Sequence, residues 1–332
     1  MLSGAAETHF SQAHAGAEVR CICGAAPRSM AYRAFGMRIR SQIRLQLPPD
    51  SCEPAAADPA WAVDIARGII SRCRELPFSI GAIRYGLGTP EGPGCPWLTV
   101  EVPGVARYEV LGNARITVES EKGADERRIG LFISGLILPI MLKRLPVVTL
   151  HGSAVVAGGE ALAFIGCRGS GKSTTAAALA RAGYSILCDD IIPVAEGPLV
   201  LPGIPRVKLL PDAFARLGGD LAAAGHLLDG AGKFQADLGG SSSSAPLRAI
   251  IVLEAGGSSP APDHLVIEPV RGMEKIRTIM RHSTGIPGID DEIEQFLRIT
   301  RRLGDTPVVR MVRPRNTWCI DEILRYFSGG CR

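Results

Sequence analysis

The sequence predicts an α/β protein with a larger α/β domain after a smaller β-rich one. Three observations lead to this fold class. A chain of 332 residues that is 46% hydrophobic and 21% charged is long and apolar enough for one large or two ordinary globular domains. Short alternating segments between residues 31 and 125 are typical of strands. A glycine-rich turn at residues 166–173 lies between a strand-like and a helix-like segment. We therefore divide the chain into a disordered tail (1–29), a β-rich domain (31–128) and an α/β domain (129–330).

Charge and hydropathy exclude two classes of partner. The net charge of +4 is mild for this length and gives no case for nucleic-acid binding, which usually shows a clustered basic face, so we expect no nucleic acid. The longest apolar run, residues 130–145, is short for a bilayer, contains Pro139 and ends in Lys143 and Arg144, which predicts a buried helix and no membrane contact. The first 29 residues lack the apolar core of a secretory signal.

The cysteine pattern favours free thiols. There are nine cysteines, an odd number, scattered along the chain. Cys21 and Cys23 have no second pair nearby that would complete a zinc site. Free thiols fit a reducing compartment, so we expect a cytoplasmic protein.

The elements of the first domain are read from alternation and turns. Residues 32–47 alternate partly, as an edge strand would. Residues 97–102 and 106–119 are predicted short strands, the latter broken by a Gly-Asn turn. None of these segments carries a motif with chemistry.

The second domain alternates between strands and helices. The buried helix at 130–145 leads into two or three strands over 147–166, joined by the Gly158-Gly159 turn. The helix after the glycine-rich turn is stopped by Gly183. "YSILCDDIIPV" is a predicted strand ending in two aspartates. A flexible loop at 239–246 precedes "LRAIIVLE", an apolar and central strand. Two helices and the strand "TPVVRMVRP" finish the chain.

The segment "GCRGSGKSTT" has the residue types that wrap a nucleotide phosphate chain. Its glycines let the backbone fold around phosphates without Cβ clashes, so that loop N–H groups and a helix N-terminus face the anion. Lys172 is expected to neutralise the β- and γ-phosphates of ATP, and the Ser173 hydroxyl to hold Mg²⁺. The predicted phosphate-binding residues are Gly166, Cys167, Arg168, Gly169, Ser170, Gly171, Lys172, Ser173 and Thr174.

Two adjacent aspartates follow this loop at a distance suited to phosphoryl transfer. Asp189 and Asp190 come after an apolar strand, and adjacent strand residues point to opposite sides. One carboxylate can therefore bind Mg²⁺ while the other takes the proton of an acceptor hydroxyl. His151, at the start of a strand, is more often structural at such a position, but a functional role stays open.

The segments "HGSAVV" and "FIGCRGSGKSTTAAALARAGYSILCDDIIPV" resemble the catalytic domain of HPr kinase/phosphorylase. The resemblance, close over residues 150–195, implies a P-loop kinase domain with the fold shared by HPr kinase and phosphoenolpyruvate carboxykinase. It implies that Asp189 is the catalytic base, that Ser173 and Asp190 hold Mg²⁺, and that His151 lies near the reacting phosphate.

The rest of the chain departs from the bifunctional enzymes of that family. Their Glu-containing R-G-L-G signature is absent, which argues against HPr as substrate and against phosphorylase activity. "LPGIPRVKLLPDAFARLG", "YRAFGMRIRS" and "PLRAIIVLE" look like HPr kinase-like proteins found with lasso-peptide biosynthesis genes. This looser similarity, over residues 31–328, implies phosphorylation of a serine of a peptide or protein, in particular the C-terminal residue of a lasso precursor. Arg206 and Lys208 are candidates for holding phosphate or a peptide carboxylate, or else part of a solvated strand edge.

Other classes remain as alternatives. A carrier-protein serine kinase and a small-molecule kinase of the shikimate type share the loop and acids, although the latter usually has the loop near its N-terminus. A non-catalytic nucleotide sensor would need no acceptor base, and Asp189 favours catalysis instead. A GTPase would need an N-K-x-D or T-K-x-D motif, which is absent. A homo-oligomer is possible.

Overall fold

The computed structural model describes most of the chain after the predicted tail. The described residues are 29–47, 50, 61–70, 75–88, 96–219, 227–228, 232–238, 240–241, 243–255, 263–314 and 318–330. The predicted disordered tail and the Cys21 and Cys23 positions lie outside them. The described cysteines Cys167, Cys188 and Cys319 are free thiols.

An eight-stranded sheet, here called the first sheet, forms the N-terminal part. Its strands are β1 (Met30–Ala34), β2 (Met37–Ser41), β3 (Trp61–Arg67), β4 (Phe78–Ile80), β5 (Ile83–Leu87), β6 (Pro96–Val102), β7 (Ala106–Leu111) and β8 (Arg115–Ser120), in the order β1-β2-β3-β8-β7-β6-β5-β4. Strand β3 is parallel to β2 and β8, and the other pairs are antiparallel.

Sequence alternation correctly located most of this sheet. In β2, Met37 and Ile39 are buried while Arg38 and Arg40 are not, which is the period of two of a half-buried strand. The segment 32–47 contains two strands instead of one, because the chain turns at Phe35–Gly36, and β1 is an edge strand as predicted. The Gly112-Asn113 turn separates β7 from β8, as expected.

A continuous helical segment, residues 126–144, connects the two parts of the chain. It consists of α1 (Glu126–Phe132), a π-helical turn (Ile133–Ile137), α2 (Leu138–Met141) and a 3₁₀ turn (Leu142–Arg144). The Asp125 side chain caps it by accepting from the Arg127 amide. Its apolar side chains join the core of the first sheet, so the predicted buried helix is confirmed. Among the described residues, no helix is both long and apolar enough to cross a bilayer.

The remaining strands and helices build a mixed α/β unit. The strands are β9 (Val148–Ala157), β10 (Glu160–Ile165), β11 (Ser185–Ala195), β12 (Leu199–Val200), β13 (Arg206–Leu209), β14 (Leu227–Leu228), β15 (Lys233–Asp237), β16 (Ala245–Ala255), β17 (Val266–Pro269) and β18 (Val308–Arg313). The helices are α3 (Lys172–Arg181), α4 (Pro211–Arg216), α5 (Gly272–Arg281), α6 (Glu292–Leu303) and α7 (Ile320–Gly330).

Seven of these strands form the second sheet. Strand β9 lies antiparallel between β10 and β11, β16 lies parallel between β10 and β18, and β17 pairs with β18 at an edge. The short β12 pairs with both β11 and the start of β16. Helices α3 and α7 pack on one face, and α5 and α6 on the other. The carboxyl ends of the parallel strands β10, β16 and β18 therefore share one edge, where ligands bind in open α/β sheets.

Two predicted features of this unit need correction, and other elements of it were missed. Strand β11 does not end at the aspartates: its pairing with β9 continues from Asp189 opposite Ser153 to Val194 opposite Val148, because apolar residues after the pair extend the ladder. Strand β16 already begins at Ala245, inside the predicted loop. The three-stranded sheet β13-β15-β14 and helix α7 were not predicted, and the strands of that sheet are too short to show a hydrophobic period.

Candidate active site

The glycine-rich loop connects the end of β10 to the start of α3, and three of its glycines, at 166, 169 and 171, have positive φ. Gly166 has φ +148°, and a Cβ there would lie 2.4 Å from the carbonyl oxygen of Leu253. Gly171, the N-cap of α3, has φ +92°. These conformations bring the loop over the N-terminus of α3, where unpaired N–H groups and the helix dipole favour an anion.

Lys172 folds back into this loop. Its ammonium donates to the carbonyl oxygens of Gly166 at 2.9 Å and of Cys167 at 3.0 Å, and the residue is only 8% exposed. Burial lowers the pKa of Lys172, and the negative charge of Asp189 opposes that shift. A buried cation held by carbonyl groups, beside an exposed loop, is well placed to meet an incoming anion.

The other predicted loop residues divide into exposed and buried ones. Cys167, Arg168 and Gly169 are exposed, and Thr174 is partly buried. The Ser170 hydroxyl is buried, and within the described part of the chain it has no hydrogen-bond partner. Buried polar atoms are normally paired, so this hydroxyl fits a site whose partner is a ligand oxygen. A nucleotide phosphate chain would satisfy it together with the loop amides.

Asp189 lies buried between the loop and the three-stranded sheet. Its Oδ1 accepts from the hydroxyls of Ser153 at 2.6 Å and Ser173 at 2.9 Å, and its Oδ2 accepts from the Lys208 amide at 3.0 Å. Burial raises the pKa of the Asp189 carboxyl, although these hydrogen bonds act in the opposite direction. Its hydrogen bonds fix the carboxylate beside the loop serine.

Asp190 turns away from the loop. It is one of two non-glycine residues among those described with positive φ, at +76°. Its Oδ2 lies 2.7 Å from the Lys208 ammonium, and the His151 Nδ1 lies 3.5 Å from its Oδ1 and 3.0 Å from its carbonyl oxygen. Burial raises the pKa of the Asp190 carboxyl, but the charge and the hydrogen bond of the Lys208 ammonium outweigh that effect, and the pKa is lowered.

The structure thus brings His151, Lys172, Ser173, the two aspartates and Lys208 together. One expected grouping differs, because the Ser173 hydroxyl contacts Asp189 and not Asp190. Arg206 lies at the wall of a cavity beside the aspartates, and its guanidinium donates to the Gln46 carbonyl oxygen at 3.3 Å.

Four further residues near the loop were missed from the sequence. Ser153 contacts Asp189, and the His282 carbonyl oxygen accepts from the His151 amide at 2.8 Å. Burial, followed by the charge of Lys172, lowers the pKa of His282. Lys233 adds positive charge near Lys172 and Asp190. The Arg313 guanidinium lies 3.1 Å from where a Cβ on Gly171 would be.

These four residues share no local pattern with the loop. Only pairing in the second sheet, or packing against it, brings them to the same edge. Of the four, only Ser153 could have been found from the sequence, because it lies in the "HGSAVV" segment that begins with His151.

The oxygen donors at this edge suit a hard divalent cation. Mg²⁺ prefers carboxylate, hydroxyl and phosphate oxygens and is usually bound by one or two carboxylates together with substrate phosphates. The Ser173 hydroxyl and the Asp189 carboxylate, 2.9 Å apart, are such donors, and Asp190 is the next residue. The described residues contain no cluster of three or more His, Cys, Asp or Glu that could hold a metal without a nucleotide.

Comparison with known proteins gives no information about the role of this site. No family model matches the chain, and no curated protein matches it. A solved structure of the Hpr(Ser) kinase/phosphatase from Coxiella burnetii is similar over 55% of this chain and 99% of its own, with 13% identity and a TM-score of 0.28. A similarity this low carries no argument about fold or function.

Proposed function

We propose that the protein is an ATP- and Mg²⁺-dependent kinase that transfers the γ-phosphoryl group to a serine hydroxyl of a peptide or protein. One observation carries the proposal: the Ser173 hydroxyl of the glycine-rich loop contacts Asp189 at the edge of the second sheet, and Asp189 and Asp190 both line a cavity there. A phosphate site next to acids and a cavity is the minimum that phosphoryl transfer to a hydroxyl requires.

ATP supplies the phosphoryl group, and Mg²⁺ neutralises charge on its phosphates. The loop amides and the N-terminus of α3 hold the phosphate chain, with Ser170 and Thr174 as further hydroxyl donors. Lys172 exchanges its two carbonyl partners for phosphate oxygens. Its positive charge then faces the position where negative charge develops on the transferred group.

The aspartates divide the remaining work. In transfer, a bond forms between the acceptor oxygen and phosphorus, the bond from phosphorus to the β,γ-bridging oxygen breaks, ADP leaves, and the hydroxyl proton moves to a carboxylate. We assign that proton to Asp189, because its raised pKa suits a base. We assign the metal to Ser173 and Asp190, because the lowered pKa of Asp190 suits a ligand that stays ionised. The contact between Ser173 and Asp189 favours the reverse assignment, and single variants can decide between the two.

His151 and Lys208 position this pair. Lys208 contacts both aspartates, by its amide and by its ammonium, so it fixes their relative orientation. His151 lies beside Asp190, and we assign it a place near the reacting phosphate, as the family resemblance implies. Arg206 and Lys208 are the candidates for holding phosphate or an acceptor carboxylate.

The acceptor we propose is the C-terminal residue of a lasso-peptide precursor. The support for this is the looser resemblance, noted above over residues 31–328, to HPr kinase-like proteins found with lasso-peptide biosynthesis genes. The alternatives are a carrier-protein serine kinase and a small-molecule kinase. The cavity that Asp189 and Asp190 line does not select between these acceptors.

The test is transfer from labelled ATP, with Mg²⁺ or with a chelator, to serine peptides, a candidate precursor and a set of hydroxylated metabolites. We expect label on a peptide serine only with Mg²⁺. Label on a metabolite alone would select the small-molecule kinase, and ATP binding without any transfer would select the nucleotide sensor.

A further inference from the structure

The three-stranded sheet β13-β15-β14 turns one of its faces toward the candidate active site. On β13, Val207 and Leu209 are buried, whereas the Lys208 ammonium lies 2.7 Å from the Asp190 carboxylate. Successive residues of a strand point to opposite faces of a sheet. The face that carries Lys208 is therefore the one that faces the aspartates, and the opposite face packs into the core.

Lys233, the first residue of β15, lies on the same face as Lys208. In the pairing of β13 with β15, Phe234 is opposite the buried Leu209, and directly opposed residues of an antiparallel pair share a face. Phe234 thus belongs to the core face, where its ring stacks on that of Phe214 with centroids 5.6 Å apart. Because neighbours in a strand alternate, Lys233 points with Lys208 toward the active site.

The charge of Lys233 acts on both the phosphate loop and the aspartates. It lies close enough to Lys172 to repel the ammonium of that residue, and close enough to Asp190 to attract its carboxylate. Lys233 is partly buried, and no hydrogen bond or ion pair joins its ammonium to a side chain that the structure describes. Lys208, in contrast, is already paired with Asp190. Two lysines that repel each other at one edge attract an anion to the space between them.

The order of the second sheet shows on which side of the loop this charge lies. Strand β10, which leads into the loop, lies between β9 and β16, so β11 with its aspartates and β18 with Arg313 are on opposite sides of it. Arg313 approaches the loop at Gly171 from the β18 side. Lys233 belongs to the sheet that contacts the aspartates, and in the proposed reaction the transferred phosphoryl group lies beside them.

We propose that Lys233 binds the terminal phosphate of the nucleotide and thereby distinguishes ATP from ADP. The inference rests on the kinase function proposed above, because the aspartates mark where the transferred group lies. In phosphoryl transfer, negative charge is spread over the equatorial oxygens of that group, and a fixed cation beside them stabilises it. Lys172, within the loop, serves the β- and γ-phosphates together, whereas Lys233 comes from a separate sheet and reaches the γ-phosphate alone.

Two substitutions at Lys233 isolate the effect of its charge. Lys233→Met keeps the aliphatic stem and removes the ammonium, and Lys233→Arg keeps the positive charge. Lys122→Met, at an exposed lysine between β8 and α1, is the matched control. Isothermal titration with Mg²⁺ present measures the affinity of each variant for ATP, for ADP, and for ADP with aluminium fluoride, which imitates the transferred group. Melting temperature reports folding.

We expect Lys233→Met to weaken ATP binding about tenfold and to leave ADP affinity unchanged, because only the contact to the terminal phosphate is lost. Binding of ADP with aluminium fluoride should weaken at least as much as ATP binding. Lys233→Arg should keep most of the ATP affinity, and Lys122→Met should behave like wild type. If Lys233→Met does not fold, Lys233→Gln replaces it with the same expected result.

An equal loss of ATP and ADP affinity in the uncharged variant, or no loss of either, would overturn the assignment of Lys233 to the terminal phosphate. This comparison needs no phosphoryl transfer. A wild-type protein that binds ATP but labels no acceptor would therefore reject the kinase proposal, while the ratio of ATP to ADP affinity would still decide the role of Lys233. If wild type binds neither nucleotide, both proposals are overturned.

Discussion

The two large sheets bury different kinds of groups. In the first sheet, the buried arginine Arg107 lies 3.7 Å from Glu101, and the Tyr108 hydroxyl donates to the Ile129 carbonyl oxygen. In the second sheet, Lys172 and Asp189 are as deeply buried, yet the partners of Lys172 are carbonyls of a loop that faces solvent. A buried charge without a dedicated counter-charge costs stability. From this difference we infer that the first sheet serves packing, and we propose that the loop beside the second sheet binds an anion.

Removing the loop lysine is expected to have the largest effect on anion binding. Lys172→Ala should abolish Mg²⁺-dependent ATP binding and turnover, because the phosphates lose their main counter-charge. Isothermal titration with ATP measures the binding.

Lys143 provides the matched control for that variant. It is also a buried lysine, but it pairs with Asp290 at 3.2 Å, away from the loop. Lys143→Ala should lower the melting temperature and leave ATP affinity intact. ATP affinity unchanged in Lys172→Ala would reject the phosphate site.

The two aspartates of the second sheet are expected to affect turnover and ATP binding differently. Asp189→Asn should lower turnover about 10²- to 10⁴-fold with ATP affinity nearly unchanged, because only the proton acceptor is lost. Asp190→Asn should weaken Mg²⁺-dependent ATP binding as well as turnover. Steady-state kinetics and titration of both variants with a serine peptide measure the two effects. Swapped behaviour would reverse the roles, and full turnover in Asp189→Asn would remove it from the chemistry.

A core substitution tests whether the first sheet serves packing. Ile116 is fully buried, and Ile116→Ala should cost about 2–5 kcal/mol of unfolding free energy through lost contacts and a cavity. ATP affinity should not change. Ile69→Ala, at a side chain that is 92% exposed, is the control and should be neutral. Denaturant unfolding measures the cost, and an equal loss in both variants would contradict the burial argument.

Arg313 should have a smaller effect on nucleotide binding. Its guanidinium packs against Gly171 at the loop, so Arg313→Ala removes a positive charge next to the phosphates and should weaken ATP binding about tenfold. Arg301→Ala, on the exposed face of α6, should leave affinity unchanged. Titration with ATP compares the two, and identical affinities would show that Arg313 is only a packing residue.

The smallest expected effect is on pH-dependent stability. Burial and the charge of Lys172 lower the pKa of His282, near which Arg281, Glu254 and His151 also act. As pH falls below 6.5, the unfolded chain takes up a proton before the folded one, so stability decreases between 6.5 and the lower folded pKa. His282→Gln should flatten that decrease in melting temperature, and the exposed His264→Gln should not. An unchanged profile in His282→Gln would exclude this residue as its source.

Local sequence signals located much of the fold. Alternation predicted β2, β6, β7 and β8. Two separate apolar runs predicted the helical segment and β16, and the glycine pattern predicted the loop between β10 and α3. These elements are specified by residues close in sequence, through hydrophobic period and backbone conformation. The predicted end of β11 was wrong. Two adjacent charged residues resemble the end of a strand, but the pairing of β11 with β9 continues beyond them.

The sequence by itself located the glycine-rich loop, Lys172, Ser173 and the adjacent aspartates, since the conformation of a short glycine-rich motif is set by residues close in sequence. The tertiary structure alone decided that Ser173 contacts Asp189, that Lys208 and His151 flank Asp190, and that Ser153, His282 and Arg313 join them. It also decided that Phe35 and Gly135 enclose the cavity beside the aspartates. The physical reason is that these contacts join residues far apart in the chain, and strand pairing and core packing, which leave no local pattern, set their distances.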